Sequence, residues 1–138
     1  MKDAPFDIRI INQKKCIFDI IRKKYVTLTP EEWVRQNFLL FLIQEKKIPK
    51  PLIAVEKLVL VGKLRKRFDI LISYQNKCWM LVECKSQDVK LSKESLSQIL
   101  SYNTTLQASY IVMTNGKEIM CYCTNSHQWL SELPYSPI

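Results

Sequence analysis

Residues 67–85 read Arg67-Phe68-Asp69-Ile70-Leu71-Ile72-Ser73-Tyr74, then Gln75-Asn76-Lys77, then Cys78-Trp79-Met80-Leu81-Val82-Glu83-Cys84-Lys85. Both flanking runs are apolar and of strand length. The link between them is short enough for a hairpin. On a strand, positions i and i+2 share a face, so Glu83 and Lys85 project together and Cys84 turns the other way, into the core. The hairpin then brings Asp69 beside Glu83.

Two carboxylates at adjoining strand ends form a hard-oxygen site, which suits Mg²⁺ or Mn²⁺. A lysine beside them can orient or deprotonate a water, the apparatus of metal-assisted phosphodiester hydrolysis. The plainer reading is a salt bridge among strand-end charges. Against it, an aspartate set between Phe68 and Ile70 is costly to bury unpaired.

Outward from this hairpin the chain alternates element types. On the N-terminal side, Ile53 to Val61 alternates as a strand. Before it, Thr29-Pro30-Glu31-Glu32 opens a helix over about residues 30–46. Thr29 is the N-cap, Pro30 suits the first turn and Glu32 completes a capping box. Val34, Phe38, Phe41 and Leu42 follow at helical spacing as its buried face. Earlier still, Phe6 to Ile11 and Cys16 to Ile21 form an N-terminal hairpin across Asn12-Gln13-Lys14.

On the C-terminal side, Ser92 to Gln107 is a second helix with Leu96, Ile99, Leu100 and Asn103 inward. Ser109 to Thr114 and Glu118 to Cys123 are strands joined through Asn115-Gly116. Helix, three strands, helix, two strands predicts an α/β fold: a mixed central sheet flanked by helices, with an N-terminal hairpin extension. The length, 138 residues, fits a single domain over 1–138.

Composition narrows the chemistry. There are two glycines, Gly62 and Gly116, so glycine-rich phosphate or dinucleotide loops are excluded and no nucleotide cofactor is expected. His127 is the sole histidine, which excludes paired-histidine zinc sites. The five cysteines follow no metal or redox spacing and read as reduced thiols of a cytoplasmic protein. No signal peptide or membrane span is expected, and no membrane partner.

The net charge is +8, and it is concentrated. From Lys46 to Arg67 there are eight basic residues and one acid, Glu56. A concentrated basic region suits a polyanion, because neutralising phosphates releases counterions. A solvated, solubilising face is the plainer alternative.

Five segments, taken in order, resemble a known family. They are Thr29-Pro30-Glu31-Glu32-Trp33-Val34-Arg35-Gln36, Lys66-Arg67-Phe68-Asp69, Glu83-Cys84-Lys85, Gln98-Ile99-Leu100-Ser101-Tyr102-Asn103 and Thr114-Asn115-Gly116. Together they resemble the N-terminal nuclease domain of type I restriction enzyme R subunits, within the PD-(D/E)XK nuclease superfamily. The resemblance runs from about Tyr25 to Tyr122.

It implies a divalent-metal-dependent DNA endonuclease with a restriction-endonuclease-like core. Asp69 and Glu83 would be metal ligands, helped by the backbone carbonyl of Cys84. Lys85 would orient the attacking water and steady the phosphate. Gln98 and Tyr102 match the Gln-x-x-x-Tyr element of RecB-like members, on one helical face. The first helix would supply a further acid, Glu31 or Glu32, and the sequence does not separate them. Glu31 is also spaced to pair with Arg35.

Lys63, Arg65, Lys66, Arg67 and Arg35 are the expected contacts to DNA, and a plain surface role competes for Arg67. R subunits carry an ATP-driven motor after this domain, and this sequence has no motor motif. The domain is therefore expected to stand alone, as a homodimer, or to meet a motor or specificity subunit in trans. A non-catalytic nucleic-acid-binding module of the same fold is the runner-up, and an interaction protein with a salt-bridge cluster is the third reading.

Overall fold

A computed structural model describes residues 6–138. The chain opens with β1 (Ile8–Ile11), β2 (Lys14–Asp19) and β3 (Lys24–Thr27), an antiparallel sheet in that order. Asn12 and Gln13 both take positive φ at the first turn, the backbone a two-residue hairpin requires. The N-terminal hairpin thus has a third strand that the pattern did not predict. Lys24-Tyr25-Val26-Thr27 is four residues long, too short for alternation to register.

Helix α1 (Pro30–Gln44) begins as expected, with the Thr29 hydroxyl accepting the Glu32 N–H at 3.0 Å. The other half of the capping box is not made, because the Glu32 carboxylate is bonded to Arg22, Arg35 and Gln36. The helix stops two residues early. Lys47 takes φ 61, and the Ile48 N–H returns to the Leu42 carbonyl at 3.0 Å. Val34, Phe38, Leu39 and Leu42 are buried, while Phe41 is only partly so.

A three-residue 3₁₀ turn, Lys50–Leu52, leads into a six-stranded sheet. Its order is β4 (Ile53–Val61), β5 (Leu64–Tyr74), β6 (Lys77–Cys84), β7 (Tyr110–Thr114), β8 (Ile119–Cys123) and β9 (Gln128–Leu130). Neighbours are antiparallel except β6 and β7. Helix α2 (Lys93–Leu106), capped by Ser92, makes that parallel crossover. The mixed sheet flanked by helices is therefore as expected. Two details differ. β9 is a three-residue strand beyond a polar loop, too short to read. β5 begins at Leu64, so Lys63 to Arg67 is a hairpin turn with the first rungs of a strand rather than a link.

The sheet separates two apolar layers. Val34, Phe38 and Leu42 of α1 pack with Val55, Ile70, Ile72, Met80 and Val82. Leu96 and Ile99 of α2 pack with Leu71, Leu81, Ile111 and Met113. Fully burying a side chain such as Leu96 contributes about 1.5–3 kcal/mol.

The alternation on β5 breaks once. Ile70 and Ile72 face α1, so Phe68 should as well, yet Phe68 lies in the α2 layer. On β4, Val55 lies in the α1 layer and Val59 packs against the other. Both strands change faces at Glu56 and Asp69, which the flanking pairs Val55↔Ile70 and Lys57↔Phe68 set opposite each other. Glu56 absorbs the change with φ 58.

Candidate active site

Strand register builds the site. Glu56 lies opposite Asp69, and the pair Ile70↔Val82 sets Asp69 opposite Glu83 one step further on. Three acidic residues thus follow one another across β4, β5 and β6. The Asp69 carboxylate accepts the Cys84 N–H at 2.9 Å through Oδ2 and an Arg35 Nη1–H at 2.9 Å through Oδ1. Burial raises its pKa, against the pull of the Cys84 N–H and of Arg35.

Glu83 is held more sparsely. Its Oε1 is buried with no hydrogen-bond partner. Burial, and then the Asp69 charge, push its pKa up to about 7 against the opposing charges of Lys66 and Lys85. A small cleft of ≈ 100 Å³ opens beside it, lined by Lys66 and Lys85 from the sheet side and by Gln98 and Tyr102 from α2. The i+2 rule therefore places Glu83 and Lys85 correctly, and Cys84 turns into the α1 layer. Gln98 and Tyr102 do share one helical face toward Glu83. The Lys66 ammonium lies 5.7 Å from the Tyr102 ring centre and 5.9 Å from that of Phe68.

The donor set fits a hard divalent cation. A buried carboxylate oxygen without a hydrogen-bond partner, beside a second carboxylate, is a donor of the kind a hard cation takes. Among the described residues no three His, Cys, Asp or Glu side chains are placed to hold a metal together. Two carboxylates suffice for Mg²⁺, which keeps waters and takes substrate phosphates as its remaining ligands.

Other expected residues lie elsewhere. Glu31 is exposed, whereas Glu32 is 5% exposed. Arg35 pairs with Glu32, at 2.5 Å, and not with Glu31. One helical turn carries Glu32 to the inner face, and Glu31, 100° away, to solvent. Arg35 was expected to touch DNA. It is 7% exposed and bonded to Glu32, Glu56 and Asp69, so its guanidinium is committed inside the protein. Arg67 does not share a free face with Asp69, because the strand turns over between them. It projects outward, 3.6 Å from Glu56. Lys63 and Arg65 are exposed on the same hairpin. Lys46, the first residue of the basic stretch, is 8% exposed and sits 4.4 Å from the Tyr135 ring centre.

Two acids escaped the pattern. Asp19 is fully buried and receives Arg22 Nε at 2.8 Å and Gln36 Nε2 at 3.0 Å. Its signal was present, an aspartate inside the apolar run Cys16 to Ile21, the same signal that singled out Asp69. Glu56 gave a fainter one, a lone acid in a basic stretch. Its left-handed backbone inside a strand costs about 1–3 kcal/mol and accumulates at functional sites. Breaking the buried ion network by removing one partner costs about 3–5 kcal/mol. The cysteine thiols play no visible part in the site. All five are unpaired, and burial pushes Cys78 and Cys121 up to about 12.

Comparison with known proteins gives a family match and a structural match. Residues 30–134 match the family model described as type I restriction enzyme R protein N terminus. A solved fragment described as an HsdR subunit of a type I restriction enzyme from Vibrio vulnificus YJ016 aligns with a TM-score of 0.59 at 20% identity. The alignment covers 78% of this chain and 24% of that one, and it speaks for the fold alone. No curated protein matches.

Proposed function

Since the chain belongs to the family of type I restriction enzyme R protein N-termini, we propose that it is a divalent-metal-dependent endonuclease hydrolysing DNA phosphodiester bonds. The observation that carries this reading is the buried, unpartnered Glu83 Oε1 next to Asp69, with Lys85 on the same face. Asp69, Glu83 and the Cys84 carbonyl would hold Mg²⁺ or Mn²⁺. A bound cation would polarise the scissile phosphate and lower the pKa of the attacking water.

The chain's own groups do the rest. Lys85 orients the water and offsets charge developing on the phosphate. Gln98 and Tyr102 form the opposite wall of the cleft and fix the phosphate backbone within it. Lys63, Arg65 and Arg67 extend along the exposed hairpin and neutralise neighbouring phosphates, which positions DNA without reading its sequence. Lys66, inside the cleft, faces the reacting strand.

Residues 1–138 act as one domain in this reading, in the cytoplasm, where DNA is met. Among the described residues no helix is long and apolar enough to cross a membrane. Cutting both strands requires two such sites, so the partner is a second copy or a motor or specificity subunit in trans. The rival reading, a DNA-binding module without catalysis, retains the hairpin and loses the metal.

Supercoiled plasmid incubated with the protein in Mg²⁺ or Mn²⁺ separates them. Nicking or linearisation that EDTA abolishes, and that falls at least ~100-fold in Lys85→Ala, is the expected result. No cleavage by the unaltered protein in either metal would remove the claim of an independent nuclease.

A further inference from the structure

Arg35 enters the site from α1 with its guanidinium divided between two tasks. Nε and Nη2 meet the two oxygens of Glu32 at 2.9 and 2.5 Å. Nη1 is shared between Asp69 Oδ1 at 2.9 Å and Glu56 Oε1 at 2.5 Å. A guanidinium is rigid and planar, so the fork on Glu32 decides where Nη1 points. Glu32 in turn receives Arg22 Nη2 at 3.1 Å and Gln36 Nε2 at 3.0 Å, and Asp19 also receives Arg22, through Nε, and the same Gln36 Nε2. The orientation of Asp69 is thus tied, through one continuous buried network, to the end of β2.

Glu56 completes the arrangement from the other side. The left-handed backbone at this position sits where β4 and β5 exchange faces, directly opposite Asp69. Its carboxylate meets the same Arg35 nitrogen that binds Asp69. The Arg35 charge is therefore divided among three acids, Glu32, Glu56 and Asp69, and Asp69 keeps negative charge for a cation.

We propose that Arg35 and Glu56 are a pair of positioning residues: Arg35 fixes the Asp69 carboxylate in the orientation that serves a metal, and Glu56 fixes Arg35. Neither touches the cation or the DNA. The inference rests on the metal-dependent reading above and adds to it the residues that set the geometry of its first ligand.

The test uses Arg35→Lys, which keeps the charge and loses the fork, and Glu56→Gln, which keeps the shape and loses the charge. Circular dichroism establishes that each variant is folded. Free Mn²⁺ is then followed by electron paramagnetic resonance during titration of the full chain, without DNA. Arg35→Lys should weaken Mn²⁺ binding about 10–100-fold, the effect of losing a partner that orients a ligand, and Glu56→Gln should weaken it in the same direction. On plasmid, kcat should fall with KM for DNA unchanged.

Mn²⁺ affinity unchanged in a folded Arg35→Lys would overturn the proposal. So would tighter binding, which would make Arg35 a competitor of the cation. If the unaltered chain binds no Mn²⁺, the metal reading itself fails. The positioning claim is then decided by the crystal structure of Arg35→Lys. Asp69 displaced from the Cys84 N–H would support it, and Asp69 unmoved would overturn it.

Discussion

At the scale of single residues, Glu83 is a partly buried acid that titrates far from its ordinary range. Its carboxyl is pushed up to about 7 by burial and by Asp69, against an ordinary value of 4.5. The folded state therefore holds a proton between those two values that the unfolded chain has released. Stability contributed by this group is present below about 4.5 and declines as pH rises through 7, by up to ~1.4 kcal/mol per pH unit. Asp19 and Glu32 act oppositely. Their pKa values are lowered by hydrogen bonds and ion pairs that outweigh burial, so their contribution is lost only as pH falls below the ordinary carboxylate range. In EDTA, urea unfolding at pH 6 and pH 8 should show the unaltered protein losing roughly 1–2 kcal/mol relative to Glu83→Gln. A difference that does not change with pH would mean that Glu83 is not buried as described. In the presence of metal, the proton and the cation compete for the same oxygens, so Mn²⁺ affinity should fall as pH drops below 7.

At the scale of elements, the β4–β5 hairpin is the part that changes role between sequence and structure. Read linearly, Lys63 to Arg67 is a basic connection. Paired as strands, Leu58 faces Arg67 and Leu60 faces Arg65, which puts two arginines and two exposed leucines on one side of a ribbon. Phe68 and Val59 anchor the opposite side against α2. Replacing Lys63, Arg65 and Arg67 together by Gln should weaken binding to a duplex uniformly across sequences. The slope of log K against log salt should fall by about 2–3. A fluorescence-anisotropy titration at several salt concentrations measures it. An unchanged slope would place the DNA elsewhere. The fold should tolerate the triple change, since these side chains are exposed and surface substitutions rarely exceed about 0.5 kcal/mol.

At the scale of the whole molecule, the site joins parts that are distant in the chain. Asp19 from β2, Glu32 and Arg35 from α1, Glu56 from β4 and Asp69 from β5 form one network. Glu83 adjoins Asp69 on the neighbouring strand, and α2 lines its cleft. A ligand that binds only this assembled arrangement stabilises the entire fold. At a Mn²⁺ concentration about 100 times its Kd, stability should rise by about 2.7 kcal/mol. For a chain of this size that moves Tm upward by roughly 8–10 °C. Differential scanning calorimetry measures it, and the combined Asp69→Asn and Glu83→Gln change should remove the shift. A shift of equal size in that variant would locate the metal outside the candidate site.

Local pattern was enough for much of this protein. The period-2 runs fixed the hairpin of residues 67–85, the shared face of Glu83 and Lys85, and the α2 crossover into a parallel strand. The cap at Thr29 fixed where α1 begins. These features depend on neighbours within a few residues, so they are written in spacing. What the spacing did not contain was direction across the fold. Glu31 and Glu32 differ by one residue, and only the packing of α1 against the sheet buries the second. Arg35, read as a DNA contact spaced to pair with Glu31, is instead held by Glu32 and by two distant acids that β4 and β5 supply. Glu56 became a site residue because two strands exchange faces there, a backbone event that no side-chain pattern records. The short strands β3 and β9 form by joining an existing sheet edge. The tertiary structure decided these points because each depends on which charges are desolvated together, and desolvation is a property of the assembled core.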